Sequence, residues 1–192
     1  RFYHMILSFI DNIHWGHDKI IELLKKPFFF DKDLSEFASS FLFKLVEFLP
    51  DPKTKEKQKR RRENPENSLR TLLEPSPRFD EWEYQEILEK GIRPLVEREP
   101  YKVVLILINA TANMIRLSIH QDDLDKSSDE DFSEIWCRHL DRPDRDHQDS
   151  KETLVNTLAF ACKKVYEKVP DLIEVLDKAL RNQQWKVFKR LR

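Results

Sequence analysis

Glycine is nearly missing from this chain: Gly16 and Gly91 are the only two in 192 residues. Hairpin turns and phosphate-cradling loops depend on glycine, which lacks a Cβ and tolerates positive φ. That scarcity excludes an all-β fold, a Walker A loop and a dinucleotide fingerprint. Cysteine is equally scarce. Cys137 and Cys162 form no metal-ligand doublet and fit a reducing compartment. The net charge is −1, so the chain as a whole is biased toward neither nucleic acid nor membrane. The main apolar run, "VVLILI" at 103–108, falls far short of the roughly 20 residues a membrane crossing needs. No signal-peptide pattern is present.

Hydrophobic residues make up 40% and charged residues 36%, a mix that suits a soluble protein with much exposed surface, such as an elongated helical array. The chain opens directly on helical spacing, with Phe2, Met5, Ile6 and Phe9 apolar, and it closes on "WKVFKRLR" without a capping signal. The expectation is therefore a piece of a longer protein whose neighbouring segments cover some of its apolar faces.

The periodicity predicts helix after helix. One covers 1–13, and a second covers 18–26 and is stopped by Pro27. A third is capped at Asp31 or Asp33 and carries Phe37, Phe41, Leu45, Phe48 and Leu49 to its end at "PDP". The stretch 53–68, "KTKEKQKRRRENPENS", holds no apolar residue. It reads as a loop or a solvated helix extension. Asp80 caps a helix through Lys90, which Gly91 and Pro94 interrupt, making 92–97 a kink or a separate turn. Pro100 opens a long helix to about Ile119, apolar on most sides and hence central. Asp149 or Ser150 caps a helix through Val169, Pro170 opens the next, and "RNQQ" leads to a last amphipathic piece from Trp185. Nothing in this pattern calls for a strand. No fixed-period repeat is visible, so any repeats are degenerate.

Four stretches look chemical. "SEIWCRHLDRPDRDHQD" (133–149) offers Cys137, His139 and His147, which could supply three zinc ligands or a thiol with a base. No fourth ligand has fixed spacing, however. A connector whose Ile135 and Trp136 dock into the core, beside surface ion pairs, is the favoured reading. "HWGH" places His14 and His17 three apart, but Gly16 argues for a helix end with His14 on the C-terminal dipole. The acidic "QDDLDKSSDEDF" lacks the glycine turn and the closing glutamate of a calcium loop, so it reads as solvated. The basic run Lys53, Lys55, Lys57, Lys59, Arg60, Arg61 and Arg62 can hold phosphates electrostatically. Without aromatics it cannot stack bases.

Three stretches of the C-terminal half resemble the helical C-terminal region of large bacterial STAND-type (AAA+-related) NTPases, many of them anti-phage defence proteins. "YQEILEKGIRPLVE" (84–97) is similar to a helix ending in a proline turn. Ser133, Ile135 and Trp136 match a Ser-x-x-Trp segment, whose continuation is replaced here by "CRHLDRPDR". Trp185, Val187, Phe188, Arg190 and Leu191 match a Trp-x-Ile-Phe-Arg-Arg-Leu helix start. The likeness covers 80–192. It implies a sensor array that recognises a foreign component and relieves autoinhibition of modules elsewhere in a cytoplasmic parent protein. No catalytic residue carries over, since nucleotide-binding motifs lie outside this segment.

The resulting expectation is an all-α, solenoid-like array of antiparallel helices in three parts: N-terminal helices (1–52), a basic and Pro-rich linker (53–79) and a C-terminal array (80–192). Its expected function is protein recognition without catalysis, cofactor, metal or membrane contact. The alternative is a nucleic-acid-binding module using 53–62. An enzyme built on Cys137, His139 and His147 is the third possibility.

Overall fold

The computed structural model describes residues 16–26, 35–63, 73–119, 133–137 and 149–192. The expected caps at Asp31 and Asp33, the first helix, His14 and the acidic stretch 121–132 lie outside these residues. The fold is all-α, apart from one two-stranded pairing.

The architecture is built around helix α6 (Pro100–Ser118), with Pro100 in its first turn, where the missing N–H costs nothing. Val103, Val104, Leu107, Ile108, Ala110, Met114 and Ile115 are all buried, which is the wide apolar surface its sequence predicts for a central helix. Helix α2 (Ser35–Val46) packs on it through the cluster containing Ala38, Phe41, Leu42 and Leu45. Helix α7 (Ser150–Lys168) makes the most extensive contact with it. Asp149 is the N-cap of α7, its carboxylate accepting the Glu152 N–H at 2.8 Å. Thr153 and Thr157 are buried on α7 but satisfied locally, each hydroxyl donating to the carbonyl four residues back.

Helix α2 ends at Val46, earlier than its apolar pattern suggests. Phe48–Leu49 forms strand β1, which pairs antiparallel with β2 (Ser76–Pro77), Phe48 opposite Pro77 and Leu49 opposite Ser76. This corrects the expectation that no strand occurs. Pro50 disfavours helical φ/ψ at Leu49. The extended turn then seats Phe48 edge-on against Tyr84, ring centroids 5.6 Å apart. The buried Tyr84 hydroxyl donates to the Val46 carbonyl at 2.9 Å, satisfying an acceptor at the end of α2.

Gly91 and Pro94 do not split their helix. Helix α4 (Glu81–Glu86), a π-helical turn (Ile87–Ile92) and α5 (Arg93–Arg98) follow one another without a break. Pro94 has no N–H for the Lys90 carbonyl and its ring crowds that carbonyl. The wider π turn just upstream relieves the conflict. Gly91 faces helix α1 (His17–Leu24), where a Cβ would lie 2.7 Å from Leu24 Cδ1. Arg98 donates to the Lys25 and Lys26 carbonyls at 3.4 and 3.3 Å, capping the end of α1. Gly16 precedes α1 and His17 is its first residue, so a helix starts where the sequence places a break, while the helix end expected at His14 lies outside the described residues.

A 3-10 turn (Pro170–Leu172) leads into α8 (Ile173–Arg181), and α9 (Lys186–Leu191) closes the described chain.

Candidate functional site

The basic run is helix α3 (Thr54–Glu63), and none of its residues is buried. Its base is held by one carboxylate. Asp51, 6% exposed, accepts the Lys53 N–H at 2.8 Å, the Lys57 ammonium at 2.7 Å and the Glu74 N–H at 3.0 Å. The first of these is an Asx-type turn that starts the helix. The third ties α3 to the chain entering β2. Burial raises the Asp51 carboxyl, but the Lys57 hydrogen bond and the two backbone N–H groups outweigh it and hold the group at about 2. Lys57 is correspondingly raised, by its hydrogen bond to Asp51 first and then by Glu74, whose Oε2 lies 3.2 Å away.

This geometry divides the seven basic candidates. Lys57 is half-buried and committed to Asp51 and Glu74. Arg61 is half-buried as well. Lys53, Lys55, Lys59, Arg60 and Arg62 are exposed. Arg60 pairs with Glu56, and Lys59 with Glu63 at 3.9 Å. Exposed pairs of this kind contribute only about 0–1 kcal/mol. Sequence reading overlooked Asp51 and Glu74. The signal for Asp51 was available, since "DPKT" places an acidic residue just ahead of a polar helix.

A second site lies at the C-terminal end. The 3-10 turn Ser133–Cys137 packs against α9. Ser133 is 1% exposed, and its hydroxyl oxygen accepts the buried Val187 N–H at 3.1 Å. That N–H is an orphan donor of the first turn of α9. Trp185, Val187 and Phe188 are buried around it, while Arg190 is exposed. Thus the Ser133–Trp136 and Trp185–Arg190 stretches, separate in sequence, form one junction. Trp136 packs against the core, with Lys151 Nζ 5.6 Å from its ring centroid. Ile135 does not dock as expected: it is 40% exposed, because the tight 3-10 turn that inserts Ser133 and Trp136 points it outward.

A third, superficial cluster joins α5 to α7. Glu97 receives Lys164 at 2.9 Å and Lys168, and the Lys168 ammonium also donates to the Glu97 carbonyl at 2.7 Å. The two lysines, Lys168 first, lower the Glu97 carboxyl. Lys164 and Arg93 each lie 5.4 Å from the Phe160 ring centroid. This is a surface clamp, with Lys168 capping the end of α5.

Of the zinc or thiol candidates, His139, His147 and the Cys137 side chain lie outside what is described. Among the described residues no group of three His, Cys, Asp or Glu side chains is arranged to hold a metal. His17 stacks edge-on to Trp82 at 4.7 Å and approaches Glu83 at 3.5 Å. Among the described residues no helix is long and apolar enough to cross a membrane. No family model matches the chain, and neither a curated protein nor a solved structure matches it.

Proposed function

We propose that this chain is a helical scaffold that works by surface recognition of a protein, as a sensor segment of a larger cytoplasmic NTPase. The observation that carries the reading is the junction at Ser133 and Val187. Two of the three stretches that resemble the STAND-type sensor region meet there, in a buried node that fixes α9 against the body of the array. Such a node suits rigid-body coupling, in which a partner seated on the array shifts a packed element as a unit. The test is substitution of exposed residues on the array in the full-length parent protein. Loss of partner response with unchanged folding supports the reading. Intact response after every exposed face has been altered removes it.

A second reading, binding to nucleic acid, is favoured by one observation: α3 carries its cations on a helix with no buried residue, anchored at its base. It predicts duplex binding that weakens steeply with salt. Binding insensitive to salt, or none at all, ends it.

A further inference from the structure

We infer that α3 meets duplex nucleic acid through one face, formed by Lys55, Lys59 and Arg62, and that Lys57 only positions the helix. This rests on the second reading above and assigns its contact residues.

The helix has two sides. Thr54, Lys57, Gln58 and Arg61 are half-buried and follow the i, i+3, i+4, i+7 spacing of a single face. That face turns toward the body of the protein, and Lys57 reaches Asp51 from it. Lys55, Lys59 and Arg62 are exposed and also lie at i, i+4, i+7, on a flank about a third of a turn around the helix from that face. At ~1.5 Å per residue the three cations span about 10 Å of helix axis. A duplex strand carries one phosphate per ~3.4 Å of its axis, so the stripe faces roughly three phosphates.

The composition selects the partner. Residues 53–63 include no aromatic to stack the bases of a single strand. They include no apolar side chain to enter a lipid surface. A regular row of phosphates is the polyanion that a straight row of exposed cations complements. Lys59 is 78% exposed and its partner Glu63 lies at 3.9 Å, a weak pair that a phosphate readily replaces. The Asp51 lock supplies order in advance: a free basic run would have to organise itself on binding, whereas α3 is already a helix tied to Glu74.

The experiment is fluorescence anisotropy of the whole chain with labelled 20-bp duplexes of two unrelated sequences, between 50 and 200 mM salt. Three phosphate contacts give a slope of log K on log salt of about −2.7 and a loss of roughly 40-fold across that range, alike for both sequences. The triple variant Lys55→Ala/Lys59→Ala/Arg62→Ala should bring the slope close to zero, with an unchanged helical CD spectrum because no buried residue is altered. Lys59→Glu alone should lower affinity several-fold at 50 mM. Lys57→Met should leave the slope unchanged. If the unaltered chain shows no salt-dependent binding, the nucleic-acid reading itself fails. If it binds but the triple variant keeps the slope, or Lys57→Met abolishes it, the reading survives and this assignment is overturned. Tighter binding to phosphatidylserine vesicles or polyglutamate than to duplex overturns the choice of partner.

Discussion

Asp51 gathers three donors on one buried carboxylate, and the chemistry of that cluster sets its pH dependence. The carboxyl is held at about 2, below its usual 3.8. A group depressed in the folded state stabilises fully above its unfolded pKa, and that contribution is lost as pH falls through the folded value. Stability should therefore be flat at neutral pH and decline between about pH 4 and 2. Asp51→Asn, which cannot pair with the Lys57 ammonium, should cost about 1–2 kcal/mol in urea unfolding at pH 7 and remove part of the acid-side decline. Ser133 acts on the same scale. Ser133→Ala leaves the buried Val187 N–H without an acceptor, for a loss of about 1–3 kcal/mol. Hydrogen exchange at the Val187 amide should accelerate more than exchange in α6. Burial pushes the Cys162 thiol up to about 12. A thiol reagent at pH 7.5 should therefore leave Cys162 unmodified in the folded chain and label it in urea, as peptide mapping would show.

The run from α4 through α5 shows how local breakers and tertiary burial compete at the scale of one element. Tyr84, Ile87, Leu88, Ile92, Leu95 and Val96 are all buried, a stripe at i, i+3, i+4, i+8, i+11 and i+12 that never loses helical phase. Gly91 and Pro94 signal a break, yet burying the stripe keeps the helix going, and the proline conflict is absorbed as a π turn. Gly91 is required for its missing Cβ, because Leu24 of α1 occupies the space. Gly91→Val should overpack this crossing and destabilise by about 1–3 kcal/mol, read from the thermal midpoint. Gly91→Ala should cost less, because its helix-propensity gain of up to about 1 kcal/mol offsets the contact.

Across the whole molecule, a single apolar cluster draws Ile20, Phe41 and Leu45 together with Val104, Leu158 and Phe188. Segments from one end of the described chain to the other thus share a core. The described residues should unfold in one transition, with circular dichroism and tryptophan fluorescence coincident. Phe188 is fully buried, so Phe188→Ala should lower stability by about 3–5 kcal/mol although it lies four residues from Arg192. Separate transitions for the two probes would contradict the shared core.

The sequence by itself determined that this protein is helical. Near-absence of glycine removes tight hairpins, and apolar residues recurring every three to four positions cannot line one face of a strand. It also determined the Asp80 cap and narrowed the later one to Asp149 or Ser150, of which the structure shows Asp149, because capping is a local contact between a side chain and the N–H three residues on. Only the tertiary structure decided that Phe48–Leu49 leaves the helix, since its partner Ser76–Pro77 lies 27 residues further along. The tertiary structure likewise set Lys57 apart from the other cations of its run. Periodicity in a stretch with no apolar residue marks no inner face, so the division waited on Asp51 and Glu74. The meeting of Ser133 with Val187 spans 54 residues, and no local rule encodes a contact that only the packed core brings together.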